Sequence, residues 1–263
     1  RLLESLRDTT LVSSRWLRAH GYPSNLVARY MAGGWLQSPT RGVYLRAGGT
    51  PTWEGLLRTL QTLEQLPVHP GGRFALARQG HEHYLRLGEA ATLSLYGATK
   101  LPSWARNLPL REEVQICGNG PFDWPRADLS ADVPDATLNA QGLERVADDT
   151  AATGIVFSSV ERAMLELCDE PPTSALVHEA NALMQGLVTL RPQLVCALLR
   201  HCTSIKAKRL FIALAEKHQH AWLPHVELAQ VDLGSGKRVL IRGGKLNTKY
   251  QITLPADLDE QLG

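Results

Sequence analysis

The residues of this 263-residue chain best suited to chemistry are a glycine turn with basic flanks and a scatter of histidines. Gly234-Ser235-Gly236-Lys237-Arg238 has the composition of a phosphate-binding loop. Such a loop needs Gly where Val231 stands, and Ser or Thr where Arg238 stands, to hold magnesium. What remains is a hairpin turn that can touch an anion through its backbone amides. His81-Glu82-His83 has the residue types of a zinc protease, but its histidines are two apart where one helix face requires four. His201, Cys202, His218, His220 and His225 form a looser group, without the close pairing and carboxylate support of ligand histidines. We expect neither a metal nor a cofactor.

Ser235 has no recognisable His and Asp partners, and no nucleophile elbow occurs. Glu112-Glu113 and Asp148-Asp149 lack a spacing that implies acid–base work, and a solvated face accounts for them. Cys117, Cys168, Cys196 and Cys202 contain no CxxC pair, which argues against a zinc ribbon, a thioredoxin-type site and a disulfide scaffold. Reduced, mostly buried thiols in a cytoplasmic protein are the expectation. No catalytic constellation emerges, so the chain is expected not to be an enzyme.

The remaining chemistry is electrostatic. A net charge of +2 conceals an uneven distribution. Residues 1–50 carry seven Arg against Glu4 and Asp8, whereas residues 111–170 carry four Arg against thirteen acids. Residues 200–250 hold ten Lys and Arg against Glu216, Glu227 and Asp232. Two basic ends around an acidic middle suggest that the ends contact a polyanion. The competing reading is an unevenly charged, solvated surface.

Those charges need elements to position them. With 44% hydrophobic and 21% charged residues the composition is that of a globular protein. No apolar run approaches the ~18 residues of a membrane-spanning helix. The N-terminal Arg1-Leu2-Leu3-Glu4-Ser5-Leu6-Arg7 offers no signal-peptide core. Lacking a Met, the chain is expected to start a few residues inside the native one.

Leucines at 2, 3 and 6 predict a first helix over residues 1–8. Ser13 caps a second, ending near Gly21, and Ser24 caps a third running to about Ala32, where Gly33-Gly34 stops it. Strands at Trp35-Leu36-Gln37 and Val43-Tyr44-Leu45 flank a turn over residues 38–42. This order is that of a winged helix-turn-helix. Leu26, Val27, Tyr30 and Met31 form the inward stripe of the third helix. Its other face presents Ser24, Asn25, Ala28 and Arg29, a set that suits entry into the major groove. An ordinary amphipathic surface helix is the alternative. In the wing, Arg41, Gly42, Tyr44 and Arg46 are candidate DNA contacts, with Arg15 and Arg18 of the second helix touching the backbone.

Beyond the Ala47-Gly48-Gly49 hinge, Thr50 is expected to cap a helix bearing Trp53, Leu56, Leu57, Leu60 and Leu63 on one face. Strands are read at Leu93-Ser94-Leu95, Val114-Gln115-Ile116 and Ile155-Val156-Phe157. Ser158-Ser159-Val160-Glu161 reads as a capping box, and helices follow at about 174–187, 192–201 and 205–218. A closing meander uses Val231-Asp232-Leu233, Val239-Leu240-Ile241 and Tyr250-Gln251-Ile252-Thr253-Leu254, with Val239 and Ile241 inward. Lys206, Lys208 and Arg209 are left for solvent or a polyanion, joined by Lys237, Arg238, Lys245 and Lys249. The expected class is α+β, a winged helix-turn-helix (residues 1–48) followed by a larger mixed α/β domain (residues 49–263).

Gly34-Trp35-Leu36 followed by Arg41-Gly42-Val43-Tyr44 resembles the N-terminal winged-helix domain of the AbiEi antitoxins of type IV toxin–antitoxin systems. Ser159-Val160-Glu161-Arg162-Ala163-Met164-Leu165-Glu166, Lys206-Ala207-Lys208-Arg209-Leu210-Phe211, Trp222, Asp232-Leu233-Gly234-Ser235-Gly236-Lys237-Arg238, Gly243-Gly244 and Lys249-Tyr250-Gln251-Ile252-Thr253-Leu254-Pro255 are similar to that family's C-terminal antitoxin domain. Residues 67–150 match least. The resemblance implies a bacterial cytoplasmic repressor that binds inverted repeats in its own promoter. It also implies an antitoxin that neutralises a nucleotidyltransferase-like toxin without a stable complex. We expect a monomer or weak dimer that assembles cooperatively on the operator, with no membrane partner. Two rivals are a regulator that uses the winged helix to bind protein, and a nucleic-acid-modifying enzyme with its site in residues 67–200.

Overall fold

The computed structural model describes residues 10–81, 91–98, 100–148 and 151–258. The expected helix over residues 1–8 lies outside them, as do Glu82, His83 and Asp149. Ser13 caps α1 (Ser14–Ala19), its Oγ accepting the Trp16 N–H at 3.0 Å. In α2 (Ser24–Ala32) the cap position belongs to Pro23, so Ser24, expected as the cap, is the first helical residue.

Three strands, β1 (Val12–Ser13), β2 (Leu36–Thr40) and β3 (Val43–Arg46), form an antiparallel sheet in the order β1-β3-β2. The turn expected over residues 38–42 shrinks to Arg41-Gly42, because β2 continues past a register shift between Gln37 and Thr40. Gly42 supplies the left-handed conformation there, with φ +91°. Along β3 alternate side chains part company. Val43 and Leu45 enter the large core, whereas Tyr44 packs on Val12, Leu17, Val27 and Leu36.

Four buried apolar side chains contribute about 1.5–3 kcal/mol each. That does not offset roughly 1–2 kcal/mol of backbone entropy per residue for a unit of about forty residues. The wing therefore needs the body, and Leu11, Val43 and Leu45 join one continuous core with Trp53, Leu56 and Leu57.

Helix α3 (Trp53–Arg58) starts two residues later than expected, because Thr52 rather than Thr50 caps it, its Oγ1 accepting the Gly55 N–H at 3.1 Å. It runs into a π-helical turn, Thr59–Leu63. On one side of this joint Thr59 Oγ1 donates to the Leu11 carbonyl at 2.8 Å, and Ser13 Oγ donates to Glu64. On the other side Gln61 Nε2 donates to the Val68 and Val156 carbonyls at 2.9 Å, and Gln61 Oε1 accepts the Val156 N–H at 3.0 Å.

In the body, β4 (His69–Pro70), β5 (Thr92–Tyr96) and β6 (Glu113–Ile116) form a second sheet, with β5 and β6 parallel. Helices α4 (Gly72–Arg78), α5 (Ser103–Arg106) and α6 (Asp135–Ala140) intervene before the antiparallel pair β7 (Leu143–Asp148) and β8 (Ala151–Ser158). Four longer helices follow: α7 (Val160–Asp169), α8 (Ser174–Gly186), α9 (Pro192–His201) and α10 (Ile205–Lys217). The capping box expected from Ser158 is displaced. Ser159 caps α7, Ser158 ends β8, and Glu161 pairs with Arg191 at 2.7 Å instead of reaching back.

The C-terminal meander reduces to one pair, β9 (Lys245–Asn247) with β10 (Ile252–Leu254). Residues 231–233 and 239–241 form no strand. The backbone N–H groups of Leu240 and Ile241 both donate to Thr253 Oγ1, at 2.9 and 3.1 Å, so a side chain replaces the expected ladder. The phase is also reversed: Leu240 is buried, Ile241 half-buried, and Val239 is 60% exposed.

At the centre lies Glu166, with a buried carboxylate. It accepts from the Gly72 N–H at 3.0 Å, Ser158 Oγ at 2.8 Å and Arg162 Nε at 2.9 Å. Burial opposes its ionisation, but the adjacent His69 and Arg162 hold the carboxyl below its ordinary 4.5. Burial pushes His69 below its ordinary 6.5. Between the lowered His69 value and 6.5 the unfolded chain binds the extra proton, so stability falls as pH drops. The Glu166 contribution is present above about pH 4.5 and is lost as pH falls through its folded value. Urea unfolding should therefore show two stages of acid destabilisation, each up to about 1.4 kcal/mol per pH unit per proton. His69→Gln should flatten the first stage; an unchanged profile would exclude His69 as its source.

Candidate nucleic-acid interface

The wing presents the expected basic residues to solvent. On α2, Val27 is buried and Leu26, Tyr30 and Met31 are half-buried, which turns Ser24, Asn25, Ala28, Arg29 and Ala32 outward. Asn25 Oδ1 accepts the Leu26 N–H at 2.9 Å, leaving its amide nitrogen as a donor toward the outer face. Arg15 and Arg18 are exposed on α1, Arg41 at the turn of the wing and Arg46 at the end of β3.

Two candidates in the wing also have a structural part. Tyr44 is half-buried against the small cluster, and the Gly42 carbonyl accepts the Ser14 N–H at 2.9 Å. They shape the wing from within. Sequence reasoning also passed over Trp35, which is 59% exposed where α2 hands over to β2. Alternation along β2 was the available signal, since an inward Leu36 requires an outward Trp35.

The C-terminal basic set divides. Lys206, Lys208 and Arg209 were expected to face solvent, and the structure corrects this. Lys206 Nζ donates to the carbonyls of Asp169 and Glu170 at 2.6 and 2.8 Å, where cations favour a helix C-terminus. Lys208 and Arg209 are each only 3% exposed. The Arg209 guanidinium donates to the carbonyls of Leu233 and Gly236 at 2.7 Å, Gly234 at 3.0 Å and Gln251 at 3.3 Å. Helix α10 has no solvent face here because the C-terminal tail lies across it. Lys237, Arg238, Arg242, Lys245 and Lys249 are exposed, with Lys249 paired to Glu216.

The looser histidine group is dispersed among separate partners. His218 Nε2 meets Asn181 Oδ1 at 3.0 Å, His220 Nε2 meets the Met184 carbonyl at 2.7 Å, and His201 pairs with Asp123 at 2.9 Å. Among the described residues no cluster of three or more His, Cys, Asp or Glu could hold a metal.

Two expected outcomes follow from this geometry. Arg209→Ala should raise hydrogen exchange across residues 231–251 and lower stability on the order of 3 kcal/mol, because charge-assisted hydrogen bonds to four carbonyls disappear. Unaltered exchange would mean that Arg209 does not hold the tail. Arg29→Ala should weaken cognate DNA binding by about 1–3 kcal/mol while sparing scrambled DNA. Equal losses on both duplexes would make Arg29 a phosphate contact.

Comparison with known proteins agrees with this architecture. Residues 1–87 match the family model "Transcriptional regulator, AbiEi antitoxin N-terminal domain". Residues 89–255 match "Transcriptional regulator, AbiEi antitoxin, Type IV TA system". Among solved structures, the crystal structure of the RV2827C protein from Mycobacterium tuberculosis is similar, with a TM-score of 0.56 and 17% identity. That similarity covers 99% of this chain and 92% of the other, and it shows a shared fold. No curated protein matches. With two matching family models in sequence order across nearly its whole length, the chain belongs to the AbiEi family of antitoxin transcriptional regulators of type IV toxin–antitoxin systems.

Proposed function

We propose that this protein represses its own operon by binding inverted repeats in the promoter, and that it counteracts a nucleotidyltransferase-like toxin without a stable complex. The observation that carries the DNA-binding half is the outer face of α2, where Asn25 and Arg29 stand exposed beside small Ser24 and Ala28. A helix entering the major groove needs short residues at its closest approach and forked donors for base edges. Arg15, Arg18, Arg41 and Arg46 supply phosphate contacts around it, and their sum makes binding salt-dependent. Residues 1–48 act as the DNA-binding part and residues 49–263 as the antitoxin part, in a bacterial cytoplasm, with no cofactor and no catalysis. One winged domain reads few base pairs, so two copies meet on the operator in two-fold relation. The protein is a monomer or weak dimer before that.

Lys237, Arg238, Lys245 and Lys249 form the antitoxin surface or a second nucleic-acid contact in this reading. Lys206 and Arg209 support it from beneath by holding the end of α7 and the tail, with Lys208 buried beside them. Replacing Lys237 and Arg238 with Ala, then scoring toxin rescue and operator binding separately, tests the assignment. Loss of rescue with operator binding kept is the expected result. Both functions surviving in a folded variant would remove the tail from the antitoxin mechanism. For the DNA half, the log–log salt slope should be about −0.9 per phosphate contacted. A salt-insensitive slope would favour the winged helix as a protein-binding module.

A further inference from the structure

Between β4 and the loop that precedes α6 the body has a hollow walled by His69, Gly97, Phe122, Trp124, Arg126 and Arg162. Its polar wall is unusual. His69 is 2% exposed, and neither ring nitrogen has a hydrogen-bond partner among the described residues. Nε2 stands 3.8 Å from Glu166 Oε1, beyond hydrogen-bond reach. An unbonded buried imidazole is left with its desolvation uncompensated. Unconstrained by either neighbour, its proton can sit on whichever nitrogen a bound group approaches.

Arg162 supplies a second open donor. Its Nε is taken by Glu166 at 2.9 Å and its Nη1 by the Gln141 carbonyl at 2.8 Å, but Nη2 donates to none of the described residues. The guanidinium is fixed from behind, 4.6 Å from the centre of the Phe122 ring. Phe122 is stacked with Trp124 at 5.5 Å, and Trp124 is half-buried with Arg126 exposed beside it. The interior has room for about two or three water molecules. That matches the three heavy atoms of a carboxylate. Glu166 already balances one charge of Arg162, and Arg126 brings a second cation to the opening.

The geometry points to a binding site for a small carboxylic acid with an aromatic or apolar body. The planar carboxylate enters the hollow, accepts from Arg162 Nη2 and from the His69 ring, and faces Arg126. The body of the acid lies against Trp124. With Nε and Nη1 already bonded, Arg162 offers one nitrogen, and a hollow with room for two or three water molecules takes a planar carboxylate more readily than a tetrahedral phosphate.

Isothermal calorimetry on the full chain, with benzoate, acetate and inorganic phosphate as probes, tests this directly. Benzoate should bind saturably in the millimolar range, acetate more weakly, and phosphate not at all. Arg126→Ala, a change at an exposed position, should weaken benzoate about tenfold, the equivalent of about 1.4 kcal/mol. Trp124→Ala should bring benzoate down to the affinity of acetate. Circular dichroism establishes that each variant is folded. No saturable benzoate binding to the unaltered protein, binding undiminished by Arg126→Ala, or phosphate binding as tight as benzoate would each overturn the proposal.

Discussion

The body of this protein is organised around one buried negative charge. An ionised carboxylate taken from water costs several kcal/mol unless donors surround it. Glu166 satisfies that demand with a backbone amide from the start of α4, a hydroxyl from the end of β8 and a guanidinium from its own helix. The start of α4, 94 residues away in sequence, and the end of β8 are thereby fixed to one point on α7. The same arrangement orients Arg162 toward Gln141 and Phe122, which secures the loop after β6. Removing Glu166 would leave the buried Arg162 guanidinium without its counter-charge. Replacing the whole group with apolar residues would be far milder, because a buried charge costs most when its partner is missing.

The wing attaches to this body through the π-helical turn. Thr59 and Gln61 lie in the same turn, yet one bonds to Leu11 in the wing and the other to Val156 in the body. A π turn widens the helix by one residue, so two side chains close in sequence can serve opposite neighbours. Val43 and Leu45 add apolar burial to the same junction. The wing is held by buried hydrogen bonds as well as by greasy contact, and it presents α2 from a supported base. Energetically it is part of the larger core.

Much of the wing was legible in the sequence because its signals are local. Ser13 as a cap, the apolar positions of α2 and Gly42 at the turn each depend on neighbours within a few residues. Strand β1 was not legible, since two residues carry no periodicity and Val12–Ser13 is a strand only by pairing with β3. The helices from residue 174 to residue 217 were readable from caps, Pro192 and apolar spacing. Their exposure was not. Lys206, Lys208 and Arg209 looked like a solvent face because the helix pattern ignores the chain that later crosses it. Arg209 meets carbonyls 24 to 42 residues away, and no spacing rule anticipates those partners. Thr253 is similar: one hydroxyl takes the two amides that a third strand would have paired. The Glu166 network was hidden for the same reason, since Gly72 lies 94 residues from it in sequence.

Together these features describe a rigid body carrying a winged helix-turn-helix whose outer helix face is small, polar and basic. The central claim is that this face reads base edges in the major groove of an operator. Methylation interference on a duplex carrying the proposed operator tests it most directly, because guanine N7 lies in the major groove and adenine N3 in the minor groove. Guanine N7 methylation at symmetric positions in both half-sites should block binding of the full chain. Interference confined to adenine N3, or none at either groove, would contradict it.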